Sequence, residues 1–284
     1  MIRTSYHTHN RFCDGAGEIR EYVDAAIAAG LEALGVSSHS PLTFPDEAAM
    51  GAEDLPAYCA DVARLKETVR GRLRLHLSLE FDYIPERHTE LWALVEPFSF
   101  EYLIGSVHFV GNNQDGVPWP VDLTRPGFET GLRRFFGGNI RRLVGAYYER
   151  VRSLTAWGQG RVAILGHIDR IKKWNADSVY FREDELWYRR EVEAALQACA
   201  RAGLIVEINT VGYRNAVRNA YTSPWIARRC MELRIPLVVT TDAHAPARVT
   251  DYHSEAETLL REIGCRSLAV LRDGSWRVEP LLGF

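Results

Sequence analysis

Two histidines stand one residue apart near the start of the chain, His7 and His9 in SYHTHNRFCDG, and Asp14 follows five positions later. Imidazole and carboxylate groups at such spacing can ligate a divalent cation. The same residue types recur at one kind of place, the C-terminal end of an apolar run. They are His39 in GVSSHSPL, Glu80 in HLSLEFDY, His108 in LIGSVHFV, His167 in ILGHID, and Asp242 with His244 in VVTTDAHAP. Taken singly, each reads as well as a hydrogen-bonded structural residue or a helix cap. Together they share a placement that structural needs alone do not produce. Buried imidazoles and carboxylates without partners are costly, so a cluster of them calls for a compensating cation. The remaining histidines lack the placement. His76 lies mid-run, His88 follows Pro85 in an exposed pattern, and His253 lies beyond the last motif; all three read as structural or surface residues.

The elements that must position these groups alternate along the chain. Strand-like runs cover 2–6, 31–38, 72–81, 100–109, 161–167, 204–210, 235–241 and 265–271. Helical patterns cover 18–29, 55–70, 184–202 and 223–233, the first three closed by Gly30, Gly71 and Gly203 and the last opened by Ser223-Pro224. Repeated strand-then-helix order predicts parallel strands with right-handed crossovers. Seven or eight such units predict one α/β domain over 1–284, a closed or nearly closed TIM-like barrel. An open doubly wound sheet is the alternative, weakened because no G-x-G-x-x-G phosphate loop appears. In a barrel, sites are built at the C-terminal ends of the strands, where the chemistry-bearing residues fall. Residues two apart on a strand face the same side, so His7 and His9 can reach one ion. The Gly/Pro/Asn-rich segment 110–125 beside His108 reads as a functional loop or lid.

Composition narrows the function classes. The 284 residues are 46% hydrophobic and 25% charged, the profile of a soluble globular enzyme. The five cysteines are odd in number and form no C-x-x-C pair, against both a disulfide framework and a thiolate metal site. Cys13 has no thiol-catalysis signature beside it and reads as a small packing residue. Met1 leads straight into a polar stretch rather than a secretory leader, and no apolar run approaches membrane-spanning length, so a cytoplasmic protein is expected. A net charge of −3 makes nucleic acid an unlikely general partner. Residues 125–161 are a local exception, with eight arginines against Glu129 and Glu149. They read as a solvated helix face or as an anion-attracting rim.

These motifs, in this order from YHTHNRFCDG to TTDAHAP, resemble the polymerase-and-histidinol-phosphatase (PHP) family of metallo-phosphoesterases. FEYLIGSVHFV, GHIDRIKKW, EINTVGYR and YTSP resemble its histidinol-phosphatase branch. The resemblance implies a distorted (β/α)7 barrel holding three divalent ions, zinc, iron or manganese. His7, His9, Glu80 and Asp242 would hold the first. Glu80, His108 and His167 would hold the second, and Asp14, His39 and His244 the third. Two departures stand out: Gly15 where many branch members have a histidine, and Ser38 where an aspartate commonly precedes the second-motif histidine.

The implied reaction is hydrolysis of L-histidinol phosphate, a step of histidine biosynthesis, by a hydroxide bridging two ions. Glu80, Asp242 and His244 would act at the reacting atoms. Arg214 matches a family arginine expected near phosphate, and a guanidinium fork suits phosphate oxygens. Lys172, with Lys173 behind it, is a second cation candidate. Glu207 and Asn209 share one strand face and are expected to receive the substrate's amino group and imidazole. A nuclease or nucleotide phosphoesterase using the same ions is the second reading, supported locally only by the 125–161 arginines. A degenerate barrel serving as an interaction or metal-storage module is the third.

Overall fold

The computed structural model describes residues 1–112, 116–281 and 283. Seven strands form one parallel sheet: β1 (Thr4–Ser5), β2 (Ala33–Val36), β3 (Arg74–Asp82), β4 (Tyr102–Ser106), β7 (Ile164–Leu165), β8 (Ile205–Asn209) and β9 (Leu237–Thr240), hydrogen-bonded in that order. These strands read as apolar runs rather than clean alternations because both of their faces are buried. The sheet nearly closes. Thr8 bridges Ala243 beyond the ends of β1 and β9, and the His9 N–H donates to the Ala243 carbonyl at 2.8 Å. The result is the (β/α)7 barrel.

Side-chain alternation divides the barrel into two cores. Leu103, Val206, Ile208 and Val239 face outward into the layer shared with the helices. Tyr102, Ile104, Ile164, Ile205 and Val238 face inward with Tyr6 and Ala33 and fill the barrel's lower half. The outer layer is built by α1 (Ile19–Ala28), α2 (Leu55–Thr68), α3 (His88–Val95), α4 (Arg125–Phe136), α5 (Ile140–Gly158), α6 (Leu186–Ala202), α7 (Pro224–Glu232) and α8 (His253–Ile263). Helix α5 shows the logic: Leu143, Val144, Tyr147, Tyr148, Val151 and Leu154 make one buried stripe, and Asn139 caps its start by accepting from the Arg142 N–H. None of these helices is long and apolar enough to cross a membrane, among the described residues.

Two elements differ from the sequence reading. The run at 265–271 is not an eighth barrel strand. It forms β10 (Ser267–Arg272), which pairs antiparallel with β11 (Ser275–Pro280) through the two-residue turn Asp273-Gly274. Both turn residues have positive φ, 49° and 74°, the backbone a tight hairpin requires, and Asp-Gly is the dipeptide that supplies it. The hairpin plugs the N-terminal end of the barrel. Ala269 and Leu271 join the inner core, Trp276 packs edge-on against Tyr6 at 5.0 Å, and the Leu271 N–H donates to the Tyr6 hydroxyl at 3.0 Å. The second difference is at 110–125. Here β5 (Phe109–Asn112) and β6 (Pro118–Pro120) pair antiparallel, with residues 113–115 outside the described part. Trp119 packs between Phe128, Phe135 and Phe136, so β6 is docked on α4.

The three histidines set aside in the sequence have structural surroundings. His76 donates to Glu101 at 2.9 Å, His88 donates to the Pro85 carbonyl at 2.8 Å, and His253 opens α8, where burial pulls its pKa down to about 4. The five cysteines are free thiols.

The plug and its neighbours generate two stability predictions. Leu271 is fully buried, and Leu271→Ala is expected to cost about 2–4 kcal/mol in urea unfolding. Glu101 accepts from His76, Lys66 and the Leu77 N–H; burial opposes ionisation, but these donors outweigh it and hold the carboxyl at about 2. That lies below the unfolded value of about 4.3, so the stabilisation is present above that pH and is lost as pH falls towards 2. The side chain is part-exposed, which limits the effect of Glu101→Gln to about 1 kcal/mol near neutrality. The gap between variant and parent in urea midpoints should close between pH 5 and pH 2.

Candidate metal centre

Inward-facing positions at the C-terminal strand ends carry the polar groups. On β4 the inward series Tyr102, Ile104, Ser106 continues to His108, passing from core to mouth. On β3 it reaches Glu80 and Asp82, and on β8 Glu207 and Asn209. Two local backbone features complete the ring. Asp242 takes a left-handed conformation, φ 50°, which costs a non-glycine residue about 1–3 kcal/mol and is found where surrounding structure enforces it. Gly15 lies against the backbone of His9 and Asn10, where a Cβ would come within 2.3 Å of the Asn10 nitrogen. The turn that brings Asp14 beside His9 therefore admits no side chain at residue 15.

Glu80 is the hub. Its Oε2 lies 3.1 Å from His7 Nε2, 3.4 Å from His9 Nε2 and 3.2 Å from His39 Nδ1. Its Oε1 lies 2.9 Å from His167 Nε2 and 3.5 Å from His108 Nε2. Asp242 Oδ1 is 3.0 Å from His9 Nε2, and Asp14 Oδ1 is 3.3 Å from His244 Nε2. Donor atoms converge in three overlapping groups: His7, His9 and Asp242; His39, Glu80 and His108; and His9, Asp14, His39 and His244. The structure thus brings all nine residues singled out as ligands to one mouth. His39 falls between two groups, and His167 meets Glu80 and His108 directly.

The residues present suit divalent cations. The buried Nε2 atoms of His7 and His9 have no hydrogen-bond partner among the described residues. Tautomers are set from behind: the Nδ1–H groups of His7, His108 and His244 donate to Glu207 (2.6 Å), Asp82 (2.6 Å) and the Asp242 carbonyl (2.9 Å). Nε2 is thereby the nitrogen left facing the centre. The local field is negative. Burial alone would suppress charge on His7, but Glu207, Glu80 and Asp242 together raise its pKa well above the usual value. His108, likewise opposed by burial, is pushed up to about 9 by Asp82 and Glu80. Burial also opposes ionisation of Glu80 and Asp242, yet the surrounding imidazoles hold both carboxyls well below the ordinary range. His9 differs: burial, then His244 and His39, pull it down to about 3, leaving a neutral ring with a free lone pair.

Several residues lie elsewhere than their sequence roles foresee. Glu207 has Oε1 taken by His7 and the Thr240 hydroxyl, and Oε2 by the His167 N–H (2.7 Å) and the Asn209 amide (3.2 Å). Asn209 donates also to Asp242 at 3.0 Å and accepts from the Val211 N–H. Both sit behind the histidines and Asp242 with their polar atoms engaged, and neither lines the cavity. Lys172 is buried, its ammonium held by Asp169 (2.8 Å), the Ala220 carbonyl (3.0 Å) and the Ser223 hydroxyl, and does not line the cavity. Its neighbours Arg170 and Lys173 do. Arg214 pairs with Asp251 and lines an adjoining cavity of about 250 Å³ that shares Asp14 and His244 with the centre.

Three site residues escaped the sequence reading. Asp82 backs His108 and approaches His39 at 3.6 Å, so the buttress expected at position 38 comes from β3 instead; Ser38 accepts from Asn10. Its two-residue offset from Glu80 was the available signal. Arg170 pairs with Asp122 at 2.7 Å and reaches within 3.6 Å of Asp242, and its Nη1 is buried without a hydrogen-bond partner. Asp122, brought in by the β5–β6 hairpin, had no signal in spacing. The 125–161 arginines line neither cavity; Arg125, Arg141, Arg150 and Arg152 pair with Glu129, Glu185, Glu86 and Glu191 on the helix surfaces.

Glu207→Gln is expected to weaken zinc binding about 10–100-fold, because it removes the acceptor that fixes the His7 tautomer. Competitive titration with a chromogenic chelator measures this directly.

Comparison with known proteins agrees with the geometry. The family model of the PHP domain matches residues 5–211. A Deinococcus radiodurans protein named "probable histidinol-phosphatase" is 32% identical over 92% of this chain and 94% of its own. The histidinol-phosphatase of Bacillus subtilis is 28% identical over 86% of this chain and 94% of its own. The fold matches the crystal structure of the Lactococcus lactis histidinol phosphate phosphatase, complexed with zinc, L-histidinol and phosphate, with a TM-score of 0.74 at 19% identity over 97% of this chain and 98% of that one.

Proposed function

Because the chain belongs to the PHP domain family, we propose that it is a metal-dependent phosphomonoesterase that hydrolyses L-histidinol phosphate to L-histidinol and phosphate, a step of histidine biosynthesis. The observation that carries the reading is Glu80, whose two oxygens face separate histidine groups in the manner of a bridging ligand. The relatives' names and the ligands of the Lactococcus lactis structure support the choice of ester.

In this reading, His7, His9, Glu80 and Asp242 hold one divalent ion, Glu80, His108 and His167 a second, and Asp14, His39 and His244 a third. Nitrogen and oxygen donors without sulfur suit zinc, iron or manganese. Such ions supply Lewis-acid stabilisation of phosphoryl charge and an activated water, which a reaction as slow as monoester hydrolysis requires. The protein's own groups do the rest. Arg170, anchored by Asp122 and by the Tyr221 ring, presents Nη1, which makes no hydrogen bond among the described residues, to the cavity where phosphate oxygens would gather. Lys173 adds a second cation, and Arg214 a third at the rim. Glu207 and Asp82 hold their histidines by Nδ1, so that Nε2 is the nitrogen turned to the centre, where a bound ion would displace its proton. Phe109 of β5 and Pro120 of β6 line one wall of the cavity.

The test is phosphate release from L-histidinol phosphate by zinc- or manganese-loaded protein. Parent activity is expected to exceed that of His9→Ala by at least about 100-fold, with a matching loss of bound metal by elemental analysis. Equal phosphate release from both proteins, or faster cleavage of single-stranded DNA than of the monoester, would overturn the assignment.

A further inference from the structure

With Glu207 and Asn209 turned away from the cavity, some other group must receive a cationic substituent on the leaving alcohol. Six carboxylates line the cavity of about 270 Å³ above the metal centre: Asp14, Asp46, Glu80, Asp82, Asp122 and Asp242. Five are committed. Asp14, Glu80, Asp82 and Asp242 face imidazoles, and Asp122 is paired with Arg170. Asp46 alone has no imidazole, guanidinium or ammonium partner among the described residues; its one hydrogen bond is from the Ala48 N–H to Oδ1, at 2.9 Å.

We propose that Asp46 is the specificity residue that binds a primary ammonium group on the leaving alcohol. This deepens the phosphomonoesterase reading and rests on it. The wall around Asp46 suits such a group. Leu42, Ala48 and Ala49 flank it in the cavity lining, offering apolar surface to a carbon stem and no further ligands for a metal ion. The segment is held before substrate arrives. The Asp46–Ala48 bond is an Asx turn, which fixes the carboxylate against its own backbone and leaves Oδ2 uncommitted. Phe44 packs edge-on against Phe109 at 5.5 Å, the Arg87 guanidinium lies over the Phe44 ring and donates to Thr43 at 3.3 Å, and Met50 is buried. One cavity is thus lined both by Arg170, Lys173 and the candidate metal ligands, which suit phosphoryl oxygens, and by Asp46, which suits an ammonium group. An ester lacking the ammonium leaves the carboxylate without an ionic partner, so the site favours the ammonium ester.

Asp46→Asn separates charge from structure, because asparagine keeps the acceptor of the Asx turn. The readout is the ratio of kcat/KM for a matched pair of monoesters, phosphoethanolamine and 2-hydroxyethyl phosphate, on the zinc-loaded full chain, with L-histidinol phosphate alongside. The parent should favour the ammonium ester, and Asp46→Asn should cut that ratio about 10-fold or more, mostly through KM. For L-histidinol phosphate, KM should rise by a similar factor. A ratio that is unchanged, or parallel losses on both esters, overturns the assignment. A parent that turns over monoesters without preferring the ammonium ester overturns it too, while leaving the phosphomonoesterase reading intact. A zinc-loaded parent that releases phosphate from no monoester overturns both.

Discussion

The structure depends on the buried Glu80 carboxylate, which is shared between histidines from opposite sides of the barrel. One oxygen faces groups delivered by the ends of β1 and β2, and the other faces groups from β4 and β7. A carboxylate this deep is strongly disfavoured in a low-dielectric interior unless positive charge accompanies it. The surrounding imidazoles supply part of that charge in the bare protein, and divalent cations would supply far more. The same constraint explains the layer behind. Glu207, Asp82 and the Asp242 carbonyl each take the outer N–H of one histidine, so that the inner nitrogen is the one turned to the centre and open to exchange a proton for a cation.

Holding so many polar groups at one end of a barrel obliges the other end to be apolar and tight. The lower half is filled by Tyr6, Tyr102, Ile104, Ile164 and Val238, then sealed by the β10–β11 hairpin through Leu271 and Trp276. Tyr6 joins the two halves. Its hydroxyl accepts from the plug, its carbonyl accepts from the Tyr102 hydroxyl, and the next residue is the ligand His7. Packing at the base is therefore coupled to ligand position at the mouth by a single peptide unit. The left-handed backbone of Asp242 is held in place by the neighbouring bridge between Thr8 and Ala243.

Much of this was legible from the chain alone. The residues that converge at the mouth were recognisable because metal sites draw on few residue types and because a parallel barrel gathers its polar groups at strand ends, so His39, Glu80, His108 and His167 each closed an apolar run. The hairpin at 267–280 was also written in the sequence, in the Asp273-Gly274 turn, but a regular series of strand-like runs masked it. Asp82 escaped that reading, although its two-residue offset from Glu80 is a periodicity as strong as the one that paired His7 with His9.

What the sequence by itself determined, then, was residue chemistry and strand-level periodicity: which side chains can ligate, and which end of each element carries them. Only the tertiary structure decided which polar residues face the cavity and which face their neighbours. Glu207, Asn209 and Lys172 have the right chemistry for binding a substrate, yet their polar atoms are engaged by Thr240, Asp242 and Asp169. Arg170 and Asp46 look unremarkable in the chain, yet they line the cavity with donors and acceptors unspent. The reason is physical. Hydrogen-bond satisfaction is settled by groups tens or hundreds of residues distant, and no local pattern records which partners folding will bring.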